Sequence, residues 1–483
     1  MISEMILKYK KMSTAVKCSL WFTVANIIQR GVNVIVTPIY TRLLTTEEYG
    51  LYSVFMAWFE ILVIFATMYL YRDVVDKCFL NCSKTEDRKD VVSVLQGLSV
   101  AIGGFYFIIA VIFNKPIARV MALSPTIVIL MFACFVFYSP FYLWLVLKRY
   151  QYDYKKPVII TIASNVIIQI VSIMGIAFTR YKAESRIISY VLVTIVVGVA
   201  FFYINQKNGQ KFYDKNLWKY AFTFNIVLIP HFLSEVVLNH SDRIMINTLV
   251  GASQTAIYSI AYSIAQLVLL FTQAINMSLV PWQYQKLKAK SYKQLSKVSV
   301  LILLIVCGIL ICLICFAPEA VLIFAGKKYS DAIDMIPILI LGIYYSFLYQ
   351  FFTRVEIFYE ERKGMSTASI LAAVLNVVLN YFCIKGFGYK AAAYTTMICY
   401  IFLCIFHFIF YKKICNKENR GKDFYDIKLI FLISVGMSVL TIVMMVLYDT
   451  SIIRYIAILL LCMIVIIKKK YIINFFKEMR MRD

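Results

Sequence analysis

Apolar runs of about 20 residues follow one another along most of the chain, separated by short polar and mostly basic connections. A run of that length crosses the roughly 30 Å hydrocarbon core of a bilayer as a single helix. The pattern predicts an all-α polytopic membrane protein with about 14 transmembrane helices, the first at about 17–41 and the last at about 450–467. No segments of about ten alternating residues argue for a barrel. No stretch outside the spans is long enough to fold by itself.

Inside this apolar background, some polar positions keep helical spacing. In the first span Thr23, Asn26, Gln29, Arg30, Asn33 and Thr37 share an arc of roughly 120°. Arg30 lies near the middle of the span, too deep to reach the headgroups easily. In the seventh span, about 217–245, His231, Glu235, Asn239 and Asp242 share an arc of roughly 80°. Pro230, just before them, removes a backbone donor and is an expected hinge. Asp242 and Arg243 fall near the outer end of that span and read as a surface ion pair. The eighth span, about 253–280, adds Ser259, Ser263, Gln266 and Gln273 on one face, and the second carries Glu60 near its midpoint. Such groups can be helix–helix glue. Arg30 argues for more, because a guanidinium cannot shed its charge and mid-membrane charge costs at least about 2.5–3.5 kcal/mol. The expected substrate-binding residues are therefore Arg30, Asn26, Gln29, Asn33, Asn239, Gln266 and Gln273. Those expected to couple to an ion are Glu235, His231 and Glu60, with His231 and Glu235 spaced to share a proton.

Composition sharpens the class: 61% of residues are hydrophobic and 16% charged, far from the balance of a soluble domain. The net charge of +24 does not call for nucleic acid. With the N-terminus inside, alternating loops place 37 of the 50 lysines and arginines on the cytoplasmic side and 12 outside, as the positive-inside rule requires. Both termini are expected in the cytoplasm, and no cleavable signal peptide is apparent. The cysteines sit mostly in apolar runs, where a thiol acts as a small hydrophobe. No metal pattern, nucleotide-binding loop or hydrolase motif occurs, so neither a catalytic site nor a cofactor is expected.

An internal repeat sets the architecture. "RLLTTEEYGLYSV" from Arg42 aligns with "TLVGASQTAIYSI" from Thr248, and "NVIIQIVSIMG" from Asn165 aligns with "NVVLNYFCIKG" from Asn376. The nearly equal offsets span six helices, an even number, so both halves enter the membrane alike. The reading is two parallel-repeat six-helix bundles, 1–210 and 211–415, around a central cavity, with two extra helices and a basic tail over 416–483. The polar stripes of the first and seventh spans hold corresponding places and are expected to face that cavity.

"YTRLLTTEEYGLYS" at Tyr40, "SDRIMINTLVGASQTAIYSIAYSI" at Ser241, "PWQ" at Pro281 and "NVVLNYFCIKGFGYKAAAYTT" at Asn376 resemble the polysaccharide flippases (Wzx, O-antigen or capsule repeat-unit translocases) of the multidrug/oligosaccharidyl-lipid/polysaccharide exporter superfamily. The resemblance runs from about residue 15 to 470. It implies a bacterial cytoplasmic-membrane protein that moves an undecaprenyl-diphosphate-linked oligosaccharide between leaflets by alternating access. H+ or Na+ would be the coupling ion, and polysaccharide polymerase and glycosyltransferases would be neighbours in the same biosynthesis. The residue reading leaves two other functions open. One is multidrug or cation antiport, which an arginine in the cavity disfavours. The other is a membrane glycan polymerase or transferase, which short outer loops disfavour.

Overall fold

The computed structural model describes residues 12–467 except 81, 83, 210, 362 and 449, and the described residues form helices with no strand. The two basic ends expected in the cytoplasm include residues 1–11 and 468–483, which lie outside the described residues. Twelve helices are long and apolar enough to cross a membrane. The first helix, α1 (Thr14–Leu43), is not among them, because its polar stripe lowers its hydropathy. The last, Ser451–Ile467, contributes only a shorter apolar stretch to that count. Large apolar side chains stand open on the outer helix faces, Phe178 at 84% and Phe387 at 83% exposure. That would be costly in water and costs nothing against lipid tails. The protein is a multi-pass membrane protein.

The chain divides into two compact units, Met1–Ala256 and Ile257–Asp483. In the first, α2 (Thr46–Thr67) follows α1, then the short α3 (Asp73–Leu80), and α4 (Thr85–Ile112). Next come α5 (Asn114–Met121), α6 (Pro125–Val136), α7 (Ser139–Tyr150), α8 (Lys155–Phe178) and α9 (Lys182–Gly209). The fourth expected span is thus two helices, broken at Phe137 and Tyr138 just ahead of Pro140, whose ring has no N–H to continue the ladder. α10 (Lys215–Leu249) is one continuous helix through Pro230, where a hinge was expected. It packs along α2 in this first unit. Phe55, Phe59, Phe135, Ile187, Val191 and Phe232 form the core between α2, α6, α9 and α10.

The repeated motif explains itself here. Thr45 and Glu48 cap α2 reciprocally: the Glu48 amide donates to the Thr45 hydroxyl at 3.2 Å, and Glu48 accepts from the Thr45 amide at 2.7 Å. The second copy starts α11 (Ala252–Ala265). The Thr46 hydroxyl donates to Ser253 at 3.1 Å, and a Cβ on Gly50 would stand 1.9 Å from the Ala252 carbonyl oxygen. Glycine is the one residue that lets these backbones approach so closely.

In the second unit, α12 (Val268–Lys288) follows the remainder of α11 after a break at Gln266 and Leu267. It is followed by α13 (Tyr292–Cys315) and α14 (Ala317–Phe324). A 3-10 turn then leads into α15 (Ile336–Phe358), α16 (Lys363–Phe387), α17 (Ala391–Glu418), α18 (Ile427–Val446) and α19 (Ser451–Ile467). α15 and α17 pack along each other, and α13 and α18 lie against α15. Buried Arg454 pins α19, donating to the Cys315 carbonyl at 2.8 Å and to Glu319 at 2.8 and 3.0 Å.

Close backbone approach gives a stability test. A Cβ on Gly198 of α9 would lie 1.9 Å from the Phe137 carbonyl oxygen at the α6–α7 break, whereas Gly104 of α4 faces open space. Gly198→Ala should lower stability by about 1–3 kcal/mol, and Gly104→Ala should not, as read from thermal unfolding of the full chain in detergent.

Candidate functional site

The first unit builds its most ionisable region around the turn that ends α2. Met68 and Tyr69 have φ of 48° and 49°, a left-handed conformation that costs a residue with a Cβ roughly 1–2 kcal/mol. Buried partners hold it. The Tyr69 amide donates to the Thr67 hydroxyl at 3.2 Å, and the fully buried Asn225 of α10 donates to the Met68 carbonyl at 2.7 Å. The Tyr69 ring meets Phe232 edge-on at 5.3 Å. The turn delivers Arg72 with its guanidinium carbon 4.0 Å from the Tyr69 ring centre and 5.5 Å from that of Phe232.

Glu60, half-buried on α2, lies within electrostatic range of Arg72. Tyr69 lies within range of Arg72, Glu60 and Glu235 together. Around them the rings of Tyr71 and Tyr142 stack at 4.9 Å, and Tyr138 donates a hydroxyl bond of 3.1 Å to Tyr142. Two carboxyl groups, one arginine and a tyrosine wall thus share one region of the unit. Beside it opens a cleft of about 430 Å³, lined by Asp73, Asp76 and Lys77 of α3 and by Phe224, Leu228 and His231 of α10. α3 is a short amphipathic helix that the sequence pattern did not reveal.

His231 and Glu235 have different surroundings. His231 lines the cleft, its Nδ1 buried without a hydrogen-bond partner among the described residues, while Glu235 is exposed. The expected shared proton between them has no matching contact among the described residues. Asn239 is half-buried and donates to the Glu235 carbonyl at 2.7 Å. Asp242 is fully buried, which corrects its reading as a surface charge at the helix end. Arg243 donates to the Asn239 carbonyl at 2.8 Å.

The stripe on α1 divides in two. Gln29 donates to the Thr161 carbonyl of α8 at 3.1 Å, and Asn33 accepts from Gln169 at 3.1 Å and Asn165 at 3.4 Å. Tyr40 completes the seam, donating to Gln169 at 2.6 Å. These two expected binding residues therefore join α1 to α8. Asn26 and Arg30 are exposed, and Arg30 has no hydrogen bond or ion pair among the described residues. Gln266, half-buried at the α11–α12 break, and Gln273, exposed on α12, belong to the second unit.

Two buried arginines escaped the sequence reading because loop counting had placed both outside the spans. Arg186 of α9 is buried, with its guanidinium carbon 3.7 Å from the ring centre of Tyr40, 3.6 Å from Tyr52 and 5.0 Å from Tyr49. Those tyrosines are the ones in the "YTRLLTTEEYGLYS" stretch, so the motif is a cage for a cation. Arg354 of α15 is also buried and donates to Gln283 at 2.7 Å and Asn276 at 2.6 Å. The signal available was the run "FFTRVEIF", apolar enough to carry the helix past 352.

Residues 15–285 match the polysaccharide biosynthesis protein family, over more than half of the chain. The chain belongs to that family. Residues 228–382 also match the MatE family. The protein is 24% identical over 377 residues, 74% of this chain and 88% of the relative, to an uncharacterized membrane protein of Haemophilus influenzae. Its fold is similar to the lipid II flippase MurJ in an inward closed conformation, with a TM-score of 0.69 at 14% identity over 95% of this chain and 100% of that one. It is also similar to an inward-facing multidrug resistance MATE transporter of the MOP superfamily, with a TM-score of 0.60 at 13% identity over 82% and 95%. Its fold is therefore the one seen in these flippase and multidrug-transporter structures.

The strained turn offers a direct check on how this family member sets Arg72. Asn225→Leu leaves the buried Met68 carbonyl unpaired, at a cost of about 1–3 kcal/mol. It should lower the thermal midpoint of the full chain, while Asn26→Leu on the exposed face of α1 should leave it unchanged.

Proposed function

We propose that this protein flips an undecaprenyl-diphosphate-linked oligosaccharide from the inner to the outer leaflet of the bacterial cytoplasmic membrane, for O-antigen or capsular polysaccharide. The observation that carries this reading is Arg30. It is a permanent cation near the middle of a membrane-length helix, exposed, and without an anionic partner among the described residues. Such a charge calls for an anion, and guanidinium matches phosphate oxygens bidentately. A diphosphate headgroup bearing sugars cannot cross hydrocarbon alone. In this reading Arg30 takes the diphosphate, and Asn26 beside it, with Asn239, Gln266 and Gln273, offers hydrogen bonds to sugar hydroxyls. The prenyl chain stays in lipid. The cargo would come from glycosyltransferases at the inner face and pass to a polymerase at the outer face.

Glu60 and Glu235, gathered at Arg72 and Tyr69, together with His231 in the adjoining cleft, are the proposed groups for coupling to H+ or Na+. A carboxyl in a water-poor region can be neutralised by a proton and so report the gradient. Multidrug or cation antiport is the second reading, favoured by the likeness to multidrug transporters and opposed by an uncompensated arginine.

Cells lacking the gene should accumulate lipid-linked repeat units on the inner leaflet. Complementation with Arg30→Ala should leave surface glycan at background, whereas Arg30→Lys should restore part of it. Normal glycan with lost dye efflux would establish the antiport reading instead. In reconstituted vesicles, Glu235→Gln should cut gradient-driven transport at least about tenfold, the scale on which proton-transfer groups act. Undiminished driven transport would remove Glu235 from the coupling.

A further inference from the structure

The second unit holds a buried acid–base pair that the reading above does not use. Glu356 of α15 and His407 of α17 are 0% and 3% exposed, and His407 Nδ1 lies 2.9 Å from Glu356 Oε1. Both belong to helices of membrane-spanning length. The His407 ring stacks on Tyr349, two helical turns before Glu356, at 5.4 Å and 18°. The other carboxyl oxygen, Oε2, is buried and has no hydrogen-bond partner among the described residues.

That bare oxygen decides the chemistry. A helix-joining ion pair needs its carboxylate satisfied on both oxygens, because a buried unpaired charge is costly. A carboxylic acid leaves only a carbonyl oxygen bare, a smaller penalty, while its O–H donates to the imidazole nitrogen. The contact therefore fits a pair that carries one exchangeable proton beyond a carboxylate and a neutral imidazole. Without it the carboxylate accepts from the Nδ1–H of a neutral imidazole, and the pair has one net negative charge. With it, the pair is neutral, whichever heavy atom carries the hydrogen.

We propose that Glu356 and His407 form a proton-binding site inside the second unit, loading and releasing one proton during the protein's working cycle. His407 is the charged or titratable neighbour that acts on Glu356. Arg354, two residues earlier, turns to amides: Gln283 and Asn276 of α12, and Gln350 one turn back at 3.5 Å. Tyr284 of α12 and Tyr425 ahead of α18 act on Arg354 rather than on the pair. Tyr411, one turn beyond His407, spends its hydroxyl accepting from the Phe424 and Tyr425 amides. The way to water is short. Glu356 is two residues from the end of α15, and the turn that follows carries exposed Glu360 and half-buried Glu361, the latter paired with Lys417 at 3.4 Å.

The test is infrared difference spectroscopy on the full-length protein in lipid, stepped through pH, with the proton as the only ligand. Its outcome does not depend on the glycan cargo. The carboxylic C=O band that grows on acidification should lose one carboxyl's intensity in Glu356→Gln. In His407→Gln the Glu356 band should persist with its midpoint moved by at least about one pH unit. Superposable wild-type and Glu356→Gln spectra would overturn the site. Should Glu356→Gln fail to fold, an unmoved midpoint in His407→Gln would overturn it equally.

Discussion

Hydrocarbon solvates neither charge nor an open backbone, and every notable feature of this protein answers that constraint. Lipid-facing positions are simply apolar. Ionisable side chains placed at membrane depth need a partner made of protein, and the chain uses a different partner for each. Arg186 lies among tyrosine faces, Arg354 among amide oxygens, Arg454 on a carboxylate and a carbonyl, and Glu356 on an imidazole. Arg30, by contrast, stands on an open face. That open position sets Arg30 apart from the three buried arginines, which serve the scaffold.

The same constraint explains why so much polar sequence turns out to be architecture. Interhelical hydrogen bonds in a membrane are worth about 1 kcal/mol each, which is useful when hydrophobicity cannot drive one helix onto another. Asn33, Gln169 and Tyr40 join α1 to α8 in this way. The repeat partners of Asn165 and Gln169, namely Asn376 and Asn380, also lie in a polar seam, where Asn380 accepts from Thr395. The two halves of the repeat thus conserve a structural device as well as a sequence.

Backbone strain marks the place where the first unit departs from simple packing. Two left-handed residues without glycine need a surrounding that holds them, and Asn225, Thr67 and Phe232 supply it. The result is to set Arg72 against Tyr69, with Glu60 in range of both and Glu235 in range of Tyr69. A plain helix end would have left these groups apart.

The sequence by itself determined the class, the succession of apolar helices and the family likeness. These follow from bilayer thickness and from the local rule that polar backbone must be paired within the helix. It also determined that Arg30 needs explanation, since its depth and permanent charge are legible from position and residue type. Tertiary structure decided which polar residues face one another. Helical spacing put His231 with Glu235 and Gln29 with Arg30, yet His231 lines a cleft while Glu235 is exposed, and Gln29 bonds α8 while Arg30 is exposed, because a stripe 80–120° wide can meet several surfaces. Loop counting misplaced Arg186 and Arg354 for a related reason. A basic residue at a helix end is an anchor when it meets water and a buried cation when a neighbouring helix covers it. Glu356 and His407, 51 residues apart, share no local pattern, and only the packing of α15 on α17 brings their proton-bearing atoms together.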